Sequence, residues 1–342
     1  MKRYGNLWPA IIDEGNLRTA HANARKGKTW QRGVQAVDAS VDLRIALLRE
    51  DLEAGRYRTG HYTQRILRER GKERIIHRLP YWPDRVVQHA VVQVLAPIWQ
   101  ASLIRHTYAS IPGRGIHDAA SIVRHQLRSD PTGTTWCLRM DVRKFYPTIP
   151  HEPLKALLAQ RVKDPRVLAL LDGIVGSISI TAPGVGIPIG NYLSQWFANL
   201  YLGPLDWRIK QHHKVRYYHR YCDDLILLHP DRDFLHEVRR DTGEQMAAAG
   251  LELKGNWQAF PVASRGVDFV GYRMWHDKTL LREATKRRMG ARLSIPNSRR
   301  SPAQLTRALR AVPSYDGWTR FGCMRTLRST VLTPYLEHLE AM

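Results

Sequence analysis

The sequence is short of acid. Asp and Glu number 31 against 53 Lys and Arg in 342 residues, which leaves a formal charge of +22. An excess of that size is the electrostatic footprint of a protein that meets a polyanion. Nucleic acid leads, and an anionic membrane surface comes second because no segment reads as a basic amphipathic helix. Cysteine is scarce too: Cys137, Cys222 and Cys323 are scattered, with no zinc-type spacing and no recognisable pair. That excludes a disulfide scaffold and fits a reducing compartment. No apolar stretch approaches the roughly 18 residues of a membrane span. Met1-Lys2-Arg3-Tyr4-Gly5 leads into no signal-peptide apolar region, so a cytoplasmic protein is expected. Internal repeats and low-complexity blocks are also missing. With 43% hydrophobic and 25% charged residues the chain is globular rather than disordered.

What is present follows a recognisable rhythm. Val41, Leu43, Ile45, Leu47, Leu48 and Leu52 predict a helix over 41–53, and Gly55 and Gly60 mark turns after it. A basic hairpin is expected over 63–79 around Arg70-Gly71-Lys72-Glu73. Pro80 and Pro83 end it, and a helix from Arg85 to Trp99 carries Val86, Val87, Ala90, Val91, Val94 and Leu95. Residues 136–142 read as a strand, followed by a helix with Leu154, Leu157, Leu158 and Val162. A loop with Gly184, Gly186, Pro188 and Gly190 precedes a helical run from Tyr192 to Leu202. Further on come a helix near 233–249, short strands near 258–262 and 267–275, and a helical tail over 284–342 with a Pro- and Ser-rich break near 296–302. From 273 onward fourteen Lys or Arg face five acids, and Trp275, Tyr315, Trp318 and Phe321 lie among them. Such a mixture is either a solvated face or a surface that tracks a nucleic-acid backbone.

Against this basic background two adjacent carboxylates stand out, in Tyr221-Cys222-Asp223-Asp224. The β-prone runs Val215–Tyr218 and Leu225–Leu228 flank them, so the pair is expected at a hairpin tip. Asp is common in turns, which is one reading. The other is a Mg2+ site, since hard cations take oxygen ligands. Asp141 ends a predicted strand 82 residues earlier, ahead of Val142-Arg143-Lys144-Phe145-Tyr146-Pro147. Three carboxylates could hold two metal ions about 3.5 to 4 Å apart, the arrangement that serves nucleotidyl transfer. That chemistry needs positioning and charge neutralisation more than covalent help. His212, His213 and His219 have no Cys or carboxylate at ligand spacing and read as ordinary surface or core histidines. Arg114, between Gly113 and Gly115, reads as a turn, with a phosphate contact as the other reading.

Over nearly its whole length the chain resembles a reverse transcriptase. The resemblance is carried by Lys72 to Arg78, Asp84 to Ala90, Tyr108 to Gly115, Asp141 to Pro147, Gly190 to Gln195, Tyr221 to Asp224 and Phe269-Val270-Gly271-Tyr272. Within that superfamily the run Gly186-Ile187-Pro188-Ile189-Gly190-Asn191-Tyr192-Leu193-Ser194-Gln195 is similar to the enzymes of diversity-generating retroelements. They share Ile rather than Gln at position 189 and Gln rather than Pro at position 195. Ile189 can also be read as a loop residue packed inward.

The resemblance implies an α+β, right-hand polymerase fold with an antiparallel palm sheet and a helical thumb. Fingers are expected over 1–85, palm over 86–151 and 184–283, a fingers insertion over 152–183 and thumb over 284–342. It makes Asp141, Asp223 and Asp224 the catalytic carboxylates, which with the Val142 carbonyl hold two Mg2+ ions, Mn2+ being able to substitute. The amides of Lys144 and Phe145 would meet the triphosphate, Tyr146 would gate the sugar, and Lys72 and Arg74 would clamp phosphates. Ile189 and Gln195 would lie at the incoming dNTP, and Gly190, Tyr221, Gly271 and Tyr272 at primer and template. Trp257 stands near the place where many relatives carry a Lys, with Lys254 three residues earlier, so no general acid is assigned.

The implied activity is RNA-directed DNA synthesis giving adenine-mutagenic cDNA from a template-repeat RNA. Its partners would be structured template RNA, primer and cDNA, dNTPs and a small basic pentameric accessory protein, with no membrane, in a bacterial, archaeal or phage setting. Two alternatives stay open: a group II intron-like or defence-associated reverse transcriptase, and a non-catalytic RNA-binding protein on the same fold.

Overall fold

The structure, a computed structural model, describes residues 2–69, 72–293, 301–333, 335 and 336. The expected turn at Arg70 and Gly71 and most of the Pro- and Ser-rich break lie outside the described residues, as does the end of the tail.

In chain order the elements are α1 (Trp8–Ile12), α2 (Glu14–Ala24), α3 (Arg32–Asp38), α4 (Val41–Glu53), β1 (Thr63–Glu69), β2 (Lys72–Arg78), a helical turn (Tyr81–Arg85), α5 (Val86–Gln100), α6 (Ile116–Ser129) and β3 (Trp136–Asp141). Then come α7 (Phe145–Thr148), α8 (His151–Ala159), α9 (Pro165–Val175), α10 (Tyr192–Tyr201), α11 (Gly203–Gln211), β4 (Tyr217–Tyr221), β5 (Asp224–His229), α12 (Arg232–Ala248), β6 (Gln258–Pro261) and α13 (Val262–Arg265). The chain continues with β7 (Val267–Phe269), β8 (Tyr272–Met274), β9 (Thr279–Leu281), α14 (Glu283–Leu293), α15 (Pro302–Leu309), α16 (Val312–Arg320) and α17 (Arg325–Val331). Every described strand pairing within the named sheets is antiparallel, the α+β arrangement expected.

The chain divides into two compact units. One holds residues 1–110, 142–213 and 240–254. Its core centres on α5, where Val86, Val87, Ala90, Val91 and Leu95 are fully buried, the stripe that the helical period requires. Asp164 ties two helix starts together. Its carboxylate accepts from the Leu7 and Trp8 amides at 2.8 and 3.0 Å and from the Arg166 and Val167 amides, satisfying orphan donors at both ends. Among the described residues β1 and β2 pair only with each other, from Thr63↔Arg78 to Glu69↔Lys72. The helix expected to reach Val162 stops at Ala159, and Val162 instead bridges Tyr4.

The second unit holds residues 111–141, 214–239 and 255–342. Four strands are ordered β4-β5-β3-β6, and β7-β8-β9 form a separate three-stranded sheet. β5 carries four consecutive apolar residues, Leu225 to Leu228, all buried, as a strand covered on both faces must. The tail helices close on Met289, Leu293, Ala308, Val312, Leu332 and Tyr335. The tail aromatics are half-buried: Trp318 and Phe321 pack round Tyr272 at 5.1 and 4.9 Å between ring centres, and Tyr315 packs on the helical core.

Candidate active site

In the second unit, register builds the carboxylate centre. Asp141 ends β3 directly opposite Asp224, the first residue of β5, and Tyr221 at the end of β4 pairs with Asp224 from the other side. Between Tyr221 and Asp224 the link is only Cys222 and Asp223. Cys222 takes a φ of 53°, positive as the first link residue of a tight two-residue turn demands. Asp223 is thereby held at the hairpin tip, next in the chain to Asp224.

Like charges directly opposite one another repel. Here the counter-charge comes from Arg139, two residues before Asp141 and so on the same face of β3. Its Nε and one terminal nitrogen donate to the two Asp224 oxygens at 3.0 and 3.1 Å. Its other terminal nitrogen lies 3.7 Å from Asp268, which also accepts from Arg282. Burial pushes the Asp224 carboxyl above its ordinary value and Asp141 adds to the rise, against the opposing pull of Arg139. For Arg139 burial works against the charge, yet Asp224 and Asp268 outweigh it and hold the guanidinium above its usual value. Arg139 was not singled out in the sequence, although the strand period places it with Asp141.

The three aspartates are hard oxygen donors, the type Mg2+ takes, and register already sets two of them side by side. Donor chemistry therefore fits a divalent cation. Among the described residues no three His, Cys, Asp or Glu side chains are gathered into a ready-made metal cluster.

Of the residues expected at primer and template in this unit, Tyr221 is half-buried, and burial raises its phenol. Tyr272 is fully buried, its hydroxyl bonded to His117 and donating to the Trp318 carbonyl at 3.2 Å. Its ring is thus occupied in packing. Val270 and Gly271 both take positive φ, 44° and 90°, in the turn between β7 and β8. A Cβ on Gly271 would stand 2.5 Å from the Trp318 ring, so only glycine fits there.

The remaining expected residues belong to the first unit, where one loop links three of their segments. The Ile187 amide donates to the Tyr146 carbonyl at 2.9 Å, and the Ile189 carbonyl accepts from the His77 amide of β2 at 3.2 Å. Gly186, at φ 100°, leaves no room for a side chain against the Pro147 carbonyl, and Gly190, at φ 112°, sits against Ile76 and His77. The 186–190 loop therefore stitches the Tyr146 turn to the β1–β2 hairpin. Ile189 is half-buried, as are Tyr146 and Gln195, while Gly190 and Arg74 are exposed. The Lys72 side chain lies outside the described residues.

Val142 and Phe145 are buried, and Phe145 sets its ring edge-on to Tyr146 at 5.6 Å. Lys144 takes a left-handed φ of 45° just before α7. The start of α10 is held by Gln88, whose side-chain oxygen accepts from the Tyr192 and Leu193 amides. Gln88 lies within the Asp84 to Ala90 run, where nothing in its local sequence marks it as a helix cap.

His213 pairs with Asp241 at 2.7 Å, a carboxylate distant in sequence, and buried His219 bonds Gln126. Trp257 lies under the Arg239 guanidinium at 4.6 Å. Among the described residues no helix is long and apolar enough to cross a membrane.

A family model described as reverse transcriptase (RNA-dependent DNA polymerase) matches residues 65–274. Protein YkfC of Escherichia coli K12 is 24% identical over 278 residues, covering 70% of this chain and 73% of YkfC. The group II intron-encoded protein LtrA of Lactococcus lactis is 23% identical over 192 residues, covering 54% of this chain and 31% of LtrA. Apo telomerase from Candida tropicalis aligns in structure with a TM-score of 0.54 at 12% identity, over 74% of this chain and 53% of that one. The chain thus spans about half of the telomerase and less of LtrA. At that identity the telomerase likeness speaks for the fold alone, which is a polymerase fold.

Proposed function

The chain belongs to the reverse transcriptase family, and from that premise we propose that it synthesises DNA on an RNA template at the carboxylates of Asp141, Asp223 and Asp224. The observation that carries the reading is the register pairing of Asp141 with Asp224, with Asp223 in the adjoining turn, in a chain of charge +22. These carboxylates and the Val142 carbonyl would hold two Mg2+ ions, whose chemistry is to neutralise the triphosphate and acidify the attacking 3′-hydroxyl.

The protein's own groups do the rest. Arg74 and Lys72 meet phosphate oxygens with fixed charge. The Lys144 and Phe145 amides donate to the triphosphate, and Tyr146 stands against a ribose 2′-hydroxyl. Ile189 and Gln195 shape the pocket for the incoming base, and Gly190, Tyr221 and the Gly271–Tyr272 turn guide primer and template. In this reading residues 1–85 and 152–183 are fingers, 86–151 and 184–283 palm, and 284–342 thumb, in a cytoplasmic enzyme.

The finer reading is a diversity-generating enzyme that makes adenine-mutagenic cDNA from a template-repeat RNA, helped by structured flanking RNA and a small basic pentameric protein. Ile189 supports it: an apolar side chain offers shape where Gln offers hydrogen bonds, and apolar sites discriminate less sharply. The likeness to LtrA favours a second reading, a group II intron-like enzyme without mutagenic homing. Errors confined to template adenines would decide for the first, and uniformly few errors for the second.

Primer extension on an RNA template with dNTPs and Mg2+ tests the activity itself. Wild type should extend the primer and Asp223→Ala should not. Undiminished extension by Asp223→Ala would overturn the assignment.

A further inference from the structure

Four half-buried charges alternate through the second unit: Asp224, Arg139, Asp268 and Arg282. Arg139 stands in the middle, with two nitrogens on Asp224 at 3.0 and 3.1 Å and the third 3.7 Å from Asp268. Asp224 belongs to the four-stranded sheet and Asp268 to the three-stranded one. Arg282 fixes the far end. Its side chain donates to Asp268, and its amide donates to the Gly271 carbonyl at 2.9 Å. Its own carbonyl accepts from the Thr285 and Lys286 amides as α14 begins.

A guanidinium fork on both Asp224 oxygens takes lone pairs that a divalent cation would use, and the two cations repel one another, so the two compete for the carboxylate. Arg139 cannot simply be abandoned either, because an unpaired half-buried charge is costly. We propose that Arg139 is a positioning residue that alternates between two partners. It holds the Asp224 oxygens beside Asp141 until a divalent cation claims them, and is then retained by Asp268, which Arg282 keeps in place. The proposal rests on the reading of Asp141, Asp223 and Asp224 as metal-binding carboxylates.

The two ends of the alternation predict opposite effects. Arg139→Gln removes the competitor for Asp224, so Mn2+ should bind about tenfold more tightly. Asp268→Asn removes the alternative partner, so Mn2+ should bind about tenfold more weakly, the scale at which outer partners tune metal sites. Arg139→Lys, which keeps charge without the fork, should fall between wild type and Arg139→Gln.

The experiment is calorimetric titration of the full chain with Mn2+ alone, alongside thermal melts with and without Mg2+. Arg139→Gln should lose melting temperature without Mg2+ and recover more than wild type when Mg2+ is added, since a ligand bound by the folded state stabilises it. Equal losses with and without Mg2+, or Mn2+ affinities of Arg139→Gln and Asp268→Asn within twofold of wild type, would overturn the alternation. Asp224→Asn separates the two levels. If it binds Mn2+ as wild type does, the reading of the carboxylates fails with the proposal. If it weakens binding while the other variants do not, the alternation alone fails.

Discussion

Two hairpins in this molecule differ in how they are held. β4–β5 is built into a four-stranded sheet, with Leu225 to Leu228 at most 1% exposed. Among the described residues β1–β2 pairs with no other strand, and it leaves Ile66, Leu67 and Ile75 between 41% and 57% exposed. The first carries Asp223 and Asp224, with Asp141 on the neighbouring strand β3, and the second carries the cations proposed to meet the triphosphate. Carboxylates that share an ion must be fixed to within about 0.5 Å, which calls for packed strands. A cation attracts phosphate over several ångströms, so an exposed ribbon suffices. The contrast teaches that dense packing lies where geometry matters and an exposed ribbon lies where charge alone serves.

Stability should expose that contrast most sharply. Leu227→Ala, in the fully buried β5, should cost about 2 to 5 kcal/mol in chemical denaturation, whereas Ile75→Ala should stay within about 0.5 kcal/mol. Equal losses would break the comparison. At the hairpin the effect should be kinetic instead. Arg74→Ala should raise KM for dNTP about tenfold, as loss of one charge-assisted contact does, with no shift in denaturation midpoint. A shifted midpoint with unchanged KM would make Arg74 structural. The smallest change in rate is expected from Ile189→Gln, whose effect should be read in product sequences as fewer errors at template adenines. An unchanged error spectrum would remove Ile189 from fidelity.

The sequence announced the carboxylate hairpin because each of its signals was local: four apolar residues for a buried strand and two polar ones for a turn. β3 was legible for the same reason, and so was α5, whose stripe repeats over four turns. The helices α1 to α3 were not legible, being 5, 11 and 7 residues long with no sustained apolar period. α9 could have been found from Asp164 and Pro165, an N-cap followed by proline at the first turn. The β7–β8 turn hid because Val270 at positive φ is a residue that turn chemistry disfavours. At the site the aspartates were legible as acids in a basic chain. Arg139 was one arginine among many, and only the register of β3 against β5 shows it facing Asp224. The loop that joins Tyr146 to His77 rests on backbone hydrogen bonds between segments distant in sequence, for which side-chain identity carries no signal.

The central claim is that the paired carboxylates of β3 and β5 are the reaction centre. Single-turnover incorporation of one dNTP on an RNA-templated primer, compared between wild type and Asp224→Asn at saturating Mg2+, tests it most directly. The substitution preserves shape and removes charge, so the account predicts a rate loss of more than about 100-fold, beyond that of an outer partner, in a protein that still unfolds cooperatively above the assay temperature. Incorporation within a few-fold of wild type would contradict it.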